Sequence, residues 1–245
     1  MNLIDLAAIA IIALFVLNGI YKGFMSTLLS IGAYFVSVIF GFIFIRPGAS
    51  FIMGHKRLFN MMLYYTEGSE FIVNPEYVRT ELSSLSTADI NGIIESARLP
   101  FPMGREIAEN IAKEAFADQG IVTLGDYFNQ TIVCTFINIL VFLLVFALVR
   151  LILGLIINGA DYADPFPVLR AHDGLLGGAL GLVRGMLAMF LIFMLVPIVL
   201  TVLGQFDLIT NMVDDSLMAG LFYRLNFLLS LAAYGFAFRS KSIGF

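Results

Sequence analysis

Apolar residues run along this chain in long blocks, and the polar breaks between them define its plan. Leu3 to Leu17 is the first block, with Asp5 near its outer end. Extended through Gly19 it approaches the lower limit of about 17 residues for a membrane span. Asp5 then falls at an interface, where its charge stays wet. A polar hinge follows, Asn18-Gly19-Ile20-Tyr21-Lys22-Gly23. The second block, from Phe24 or Met25 to Ile45, carries no charge. Its length of about 21 residues reaches roughly 30 Å as a helix, the thickness of the hydrocarbon core. Arg46-Pro47 is expected to stop it. Ser26/Ser30 and Ser37/Gly41 are four apart and permit close helix contact. A third block starts near Ile132 and runs through Arg150 to Asn158, and Arg150 is expected to snorkel to a headgroup. The fourth is introduced by GLLGGALGLVRG and continues from Met186 to Leu203, with Pro197 expected to kink it. In Leu217 to Phe238 only Phe227 to Phe238 is clean, which favours an interfacial or re-entrant helix over a fifth span.

Between the second and third blocks the pattern changes. Residues 47–131 hold eleven acidic and six basic residues. Several pieces have helical periodicity. In 103–118, Ile107, Ile111 and Ala115 form one stripe, and Glu106, Glu109, Lys113 and Glu114 read as the polar side. The acids of this region read as solvated helix faces. The reading is therefore an all-α integral membrane protein with four transmembrane helices. It has a hairpin at 1–46, a helical extramembrane insertion at 47–131, helices three and four at 132–204, and a C-terminal interfacial or re-entrant helix within a tail at 205–245.

Composition strengthens this. The chain is 60% apolar and 13% charged, against roughly 25% charge in a soluble domain. Such a chain needs lipid as a second apolar phase. There is no Trp, so Tyr, Lys and Arg must anchor the interfaces. The single cysteine, Cys134, forbids an intramolecular disulfide and reads as a packing or lipid-facing residue. A net charge of −4 with no basic stripe argues against nucleic acid. The N-terminus lacks a basic n-region and reads as a retained helix rather than a signal peptide. Lys22 in the first hinge, and Arg150, Arg170 and Arg184 around the loop between blocks three and four, place both connections in the cytoplasm. Both ends and 47–131 then lie outside, although Arg46, Lys56 and Arg57 pull the other way.

The strongest local constellation is Gly174, Gly177, Gly178, Gly181 and Gly185. Their spacings of three and four make a nearly side-chain-free helix face, suited to intimate contact with another helix. That contact is either within the monomer or at an oligomer or sliding interface. The phosphate-loop ending Gly-Lys-Ser/Thr is absent. Arg184 reads as an anchor, with pairing to Asp173 or another acid as the sharper alternative, and Lys22 reads as an anchor too. His55 and His172 are too far apart in sequence to suggest ligand spacing. No nucleophile–base arrangement is evident, so no catalytic, cofactor-binding or metal residue is assigned and no cofactor is expected. No mid-membrane acid or base is expected, which weakens ion-coupled transport. Asn138 is the nearest candidate, read as a hydrogen-bonding partner for a neighbouring helix.

Two stretches carry a resemblance. NGIYKGFMSTLLSIG, through Gly19, Lys22, Gly23, Phe24, Leu29, Ser30 and Gly32, resembles the hinge and second helix of the CvpA family, the colicin V production proteins. HDGLLGGALGLVRG, through Asp173, Gly177, Gly181, Arg184 and Gly185, resembles that family's Asp- and Gly-containing stretch before its last span. The resemblance covers residues 1–45 and 132 to about 220. The insertion, about 85 residues, and the apolar C-terminal stretch depart from the family's compact form. The resemblance implies a multi-pass protein of the bacterial plasma membrane with a role in the envelope, in export or in toxin biosynthesis. It implies no catalytic residues. Partners are then the lipid bilayer and a homo-oligomer or another membrane or envelope protein. A small-solute or ion channel or transporter is the competing reading, which a polar track along one helix would favour, and none is evident.

Overall fold

The computed structural model describes residues 2–159, 172–203 and 207–233. Arg170 and the prolines Pro165 and Pro167 lie outside the described residues, as do 204–206 and 234–245. The described elements are helical, with α1 (Leu3–Gly54), α2 (Lys56–Tyr65), α3 (Pro75–Val78), α4 (Thr87–Ser96), α5 (Met103–Ala112) and α6 (Leu124–Gly159). They continue with α7 (Asp173–Phe193), α8 (Val196–Leu203), α9 (Asp207–Asp214), α10 (Leu217–Phe222) and α11 (Phe227–Ala233). An isolated antiparallel bridge between Glu81 and Thr123 accompanies them. Three helical stretches are long and apolar enough to cross a membrane, namely Leu3–Gly54, Leu124–Ile157 and Asp173–Leu203. Large apolar side chains stand exposed along them, including Leu14, Phe35, Leu144, Leu151 and Leu182. In water that surface would be a liability, and in lipid it is ordinary.

The chain forms two compact units. The first contains Met1–Ile43, Leu143–Val196 and Phe206–Asn226. Here α1 is broken at Gly23, whose φ of 77° and ψ of 178° are not helical. The directions of its two arms follow from their partners on α7. Ile12 and Phe15 lie against Gly185, Phe15 and Val16 against Gly181, and Gly19 against Gly177, so arm 3–22 runs antiparallel to α7. The Phe24 amide bonds to Asp173 and the Tyr34 hydroxyl to the Leu187 carbonyl, so the second arm runs parallel to α7. The two arms are therefore antiparallel to each other, a helical hairpin folded at one residue. Tyr34 also packs edge-on against Phe146 of α6, with centroids 5.4 Å apart.

Asp5 departs from expectation. It is 1% exposed rather than wet. Its carboxylate accepts from the Ser216 hydroxyl at 2.7 Å and from the Met218 amide at 3.0 Å. It thereby satisfies donors at the start of α10, where Ser216 is also the N-cap. Asn226 ends the same region by donating to the Phe190 and Phe222 carbonyls. The stretch read as one C-terminal helix is thus divided into α10 and α11 around Tyr223–Asn226, and α10 alone is too short to cross a bilayer.

The second unit contains Phe44–Phe142, Pro197–Gln205 and Phe227–Phe245. Arg46-Pro47 does not stop the helix, which continues to Gly54. Proline removes one backbone hydrogen bond. Packing offsets that loss, because Ile45 and Ala49 are fully buried and Gly48 lies against Val141. Nor does α6 begin near Ile132. Thr123 and Asp126 cap it, and its first turns supply Leu124, Phe128 and Ile132 to a core with Ile93, Ala97, Met103 and Ile107. A capping box between Ser86 and Asp89 starts α4. Pro197 lies near the start of α8, after a turn at Met194–Leu195, so a break stands where a kink was expected.

Candidate functional site: a glycine-lined helix contact and a buried polar column

In the first unit the two stretches that carry the resemblance meet. A Cβ on Gly19 would clash with the Gly177 carbonyl oxygen, and one on Gly177 with the Gly19 carbonyl oxygen. A Cβ on Gly181 would lie 2.5 Å from the Phe15 carbonyl oxygen and 3.0 Å from the Val16 Cα. These obstacles are backbone and cannot rotate away. Glycine on both sides is what brings the two helix backbones this close. Gly174 and Gly178 sit to one side, against Ile20, and line an open apolar groove of about 590 Å³ with Val16, Leu175 and Leu182.

At the end of this contact Gly23 and Asp173 form the hinge. Gly23 occupies a backbone region that essentially only glycine adopts. A Cβ there would collide with the Asp173 carboxylate. The space it leaves admits that carboxylate, which accepts from the Phe24 amide at 2.9 Å. Asp173 thus caps the second arm across 149 residues of sequence. The Thr27 hydroxyl donates to the Gly23 carbonyl at 2.8 Å. Asp173 is engaged here rather than with Arg184, whose guanidinium stands 5.1 Å from the centroid of the Phe15 ring. Lys22 is exposed. Arg184 also lies within electrostatic range of Arg150, whose guanidinium reaches over Gly154 on its own helix. Both arginines are half-buried, and among the described residues no carboxylate pairs with either.

The second unit holds polar groups that the sequence reading placed differently. Met103, Glu106, Ile107 and Asn110 are the buried residues of α5. Glu106, expected on a solvated face, is 4% exposed. The stripe is rotated because Met103 and Ile107 enter the core and carry their neighbours at three- and four-residue spacing with them. Burial, and then the repulsion of Glu109, raise the Glu106 carboxyl to about 7. Glu109 itself is lowered, first by the hydrogen bond from Lys113 and also by that from Arg105.

Asn110 donates to the Thr131 hydroxyl at 3.2 Å. Thr131, Thr135 and Asn138 then line one stripe of α6, and none of the three is exposed. A polar track along one helix therefore exists after all. Asn138 does not bond to a neighbouring helix. Both its amide atoms and the Thr135 hydroxyl lack a hydrogen-bond partner among the described residues. Each such orphan costs about 1–3 kcal/mol. Cys134, by contrast, is a packed residue, with its sulfur 4.0 Å from that of Met53. Among the described residues no group of three His, Cys, Asp or Glu could hold a metal ion.

Comparison with family models, curated proteins and solved structures finds no match to this chain.

Proposed function

We propose that this is a four-span bacterial plasma-membrane protein of the colicin V production type, acting in the envelope or in export through helix contacts rather than through catalysis. The observation that carries the reading is the meeting of its two motif stretches. Gly19, Gly23 and Phe24 stand against Asp173, Gly177 and Gly181 in one contact. Residues that resemble the family's pattern, far apart in sequence, thereby acquire a shared physical task. Counting the arms of α1 separately supports a reading of four spans. Arm 3–22 is 20 residues, about 30 Å of helix. The hinge with Lys22 faces the cytoplasm, and the insertion lies on the other side.

Two experiments test this. Cysteines at Tyr21, which is 91% exposed, and at Glu95 in the insertion are challenged with a membrane-impermeant thiol reagent in intact cells. Labelling at Glu95→Cys and protection at Tyr21→Cys is expected, and the reverse pattern overturns the orientation. In a host lacking the protein and carrying the colicin V genes, wild type should restore toxin secretion. Gly181→Leu should not restore it. Full restoration by a stably produced Gly181→Leu refutes the contact as the working part.

A channel or transporter is the second reading, favoured by the polar track on α6 and by the arginines. With the hinge at the membrane face, Arg184 is about 16 Å deep along α7 and Arg150 about 14 Å deep along α6. Intramembrane charges commonly mark a pathway. Ion flux through the reconstituted protein would move the balance to this reading, and its absence is expected.

A further inference from the structure

The buried column in the second unit calls for a ligand that the protein itself does not supply. Its members are Glu106 and Asn110, one turn apart on α5, and Thr131, Thr135 and Asn138 on α6. The Asn110–Thr131 hydrogen bond joins the two halves at 3.2 Å. Exposure is 6% or less at every member.

The chemistry of the orphaned atoms selects the ligand. Asn138 leaves both a donor, Nδ2, and an acceptor, Oδ1, without partners, and the Thr135 hydroxyl is also unpartnered. A metal cation would satisfy Oδ1 and leave the N–H groups unmet. An anion would do the reverse. A second protein chain has no access to a residue of zero exposure. Water donates and accepts at once, and buried polar groups without protein partners are its usual hosts.

One turn from Asn110 on α5 stands Glu106, a carboxyl with no side-chain hydrogen bond among the described residues. The charges acting on it are Glu109 and Arg105 on its own helix and Lys113 at that helix's C-cap. The side chains that α4 and α6 place in the adjoining core, Ile93, Ala97, Phe128 and Ile132, carry no charge. From α8, Thr201 donates to the Met103 sulfur and is neutral too.

We propose that this column is a hydrated proton-binding site, in which water bridges Thr135 and Asn138 and Glu106 is the group that takes up and releases the proton. The proposal is independent of the colicin V reading. Burial supports it in the same direction, since it holds the Glu106 carboxyl near neutrality.

The test uses the full chain reconstituted in lipid nanodiscs. X-ray radiolysis produces hydroxyl radicals from water held inside a protein, and these modify side chains beside it. Cys134 and Phe142 flank Asn138 one turn to either side, at 1% and 0% exposure. Phe142 should be modified in the wild type at a rate within about threefold of the exposed Phe51, and Cys134 should be modified alongside it. Asn138→Leu, and the volume-conserving Thr135→Val, should lower those rates at least fivefold. Thr135→Val carries the test if Asn138→Leu fails to fold. Infrared difference spectra across a pH titration should show a protonated carboxyl band that disappears in Glu106→Gln. Wild-type Cys134 and Phe142 as unreactive as a dry core, rates unchanged in both variants, or no Glu106 band at any pH between 5 and 8 would each overturn the proposal.

Discussion

Gly23→Ala perturbs the hinge at two places, and the structure separates them. The first is backbone strain. With φ at 77° and ψ at 178°, Gly23 lies where a side chain costs about 1–3 kcal/mol. The second is the cap. The new methyl would collide with the Asp173 carboxylate and displace it from the Phe24 amide, and loss of a capping acceptor costs about 0.5–2 kcal/mol. The sum is about 1.5–5 kcal/mol, a large fraction of ordinary stability. Asp173→Ala alone loses only the cap. In the double variant the cap is lost once, not twice, so the two substitutions should fall short of additivity by about 1 kcal/mol. The assay is equilibrium unfolding in mixed micelles. Energy transfer is read between dyes on Tyr21→Cys and Leu175→Cys, at positions that are 91% and 72% exposed. Cys134, at 1% exposure, stays unlabelled in the folded protein. Destabilisation by Gly23→Ala below about 0.5 kcal/mol, smaller than any of these effects, would refute the hinge argument. Strict additivity with Asp173→Ala would show that the carboxylate does not occupy the space glycine leaves.

The same assay serves three further predictions. Gly181→Ala must push α7 off the Phe15 and Val16 backbone and should cost about 1–3 kcal/mol. Gly32→Ala, with no neighbour within 4 Å, should instead stabilise by roughly 0.5–1 kcal/mol. Asp5→Ala strands the Ser216 hydroxyl and the Met218 amide and should destabilise the fold, while leaving the Gly23 hinge intact. Glu106 should make stability pH-dependent. Its folded value of about 7 exceeds the usual 4.5, so the folded state binds more protons across that window. Stability should therefore be highest below about pH 4.5 and fall by about 3 kcal/mol as pH rises through 7. Glu106→Gln should remove that fall, which hydrogen exchange of the α5 amides at pH 5 and 8 would read.

Several features are legible in the amino-acid order alone. Uninterrupted apolar length predicts long helices, because a backbone in lipid must satisfy its own hydrogen bonds. The Gly177/Gly181/Gly185 spacing predicts a close helix contact, because residues three and four apart share a face. Other features needed the third dimension. Pro47 reads as a stop on local grounds, yet the helix passes it because Ile45, Gly48 and Ala49 are packed. Asp5 reads as a wet terminal charge, yet its partner Ser216 lies 211 residues away. Glu106 reads as one polar residue among several until the core takes Met103 and Ile107 and rotates the buried face by part of a turn.

The sequence by itself determined that the chain would be helical, apolar enough to cross a membrane, and furnished with a glycine face, since these depend on composition and on spacing within single helices. Only the tertiary structure decided which surface that face meets, that Asp173 fills the space left at Gly23, and that Thr135 and Asn138 are buried without partners. Burial and hydrogen bonding of a polar group depend on what the rest of the chain sets beside it, and spacing along one helix carries no record of that.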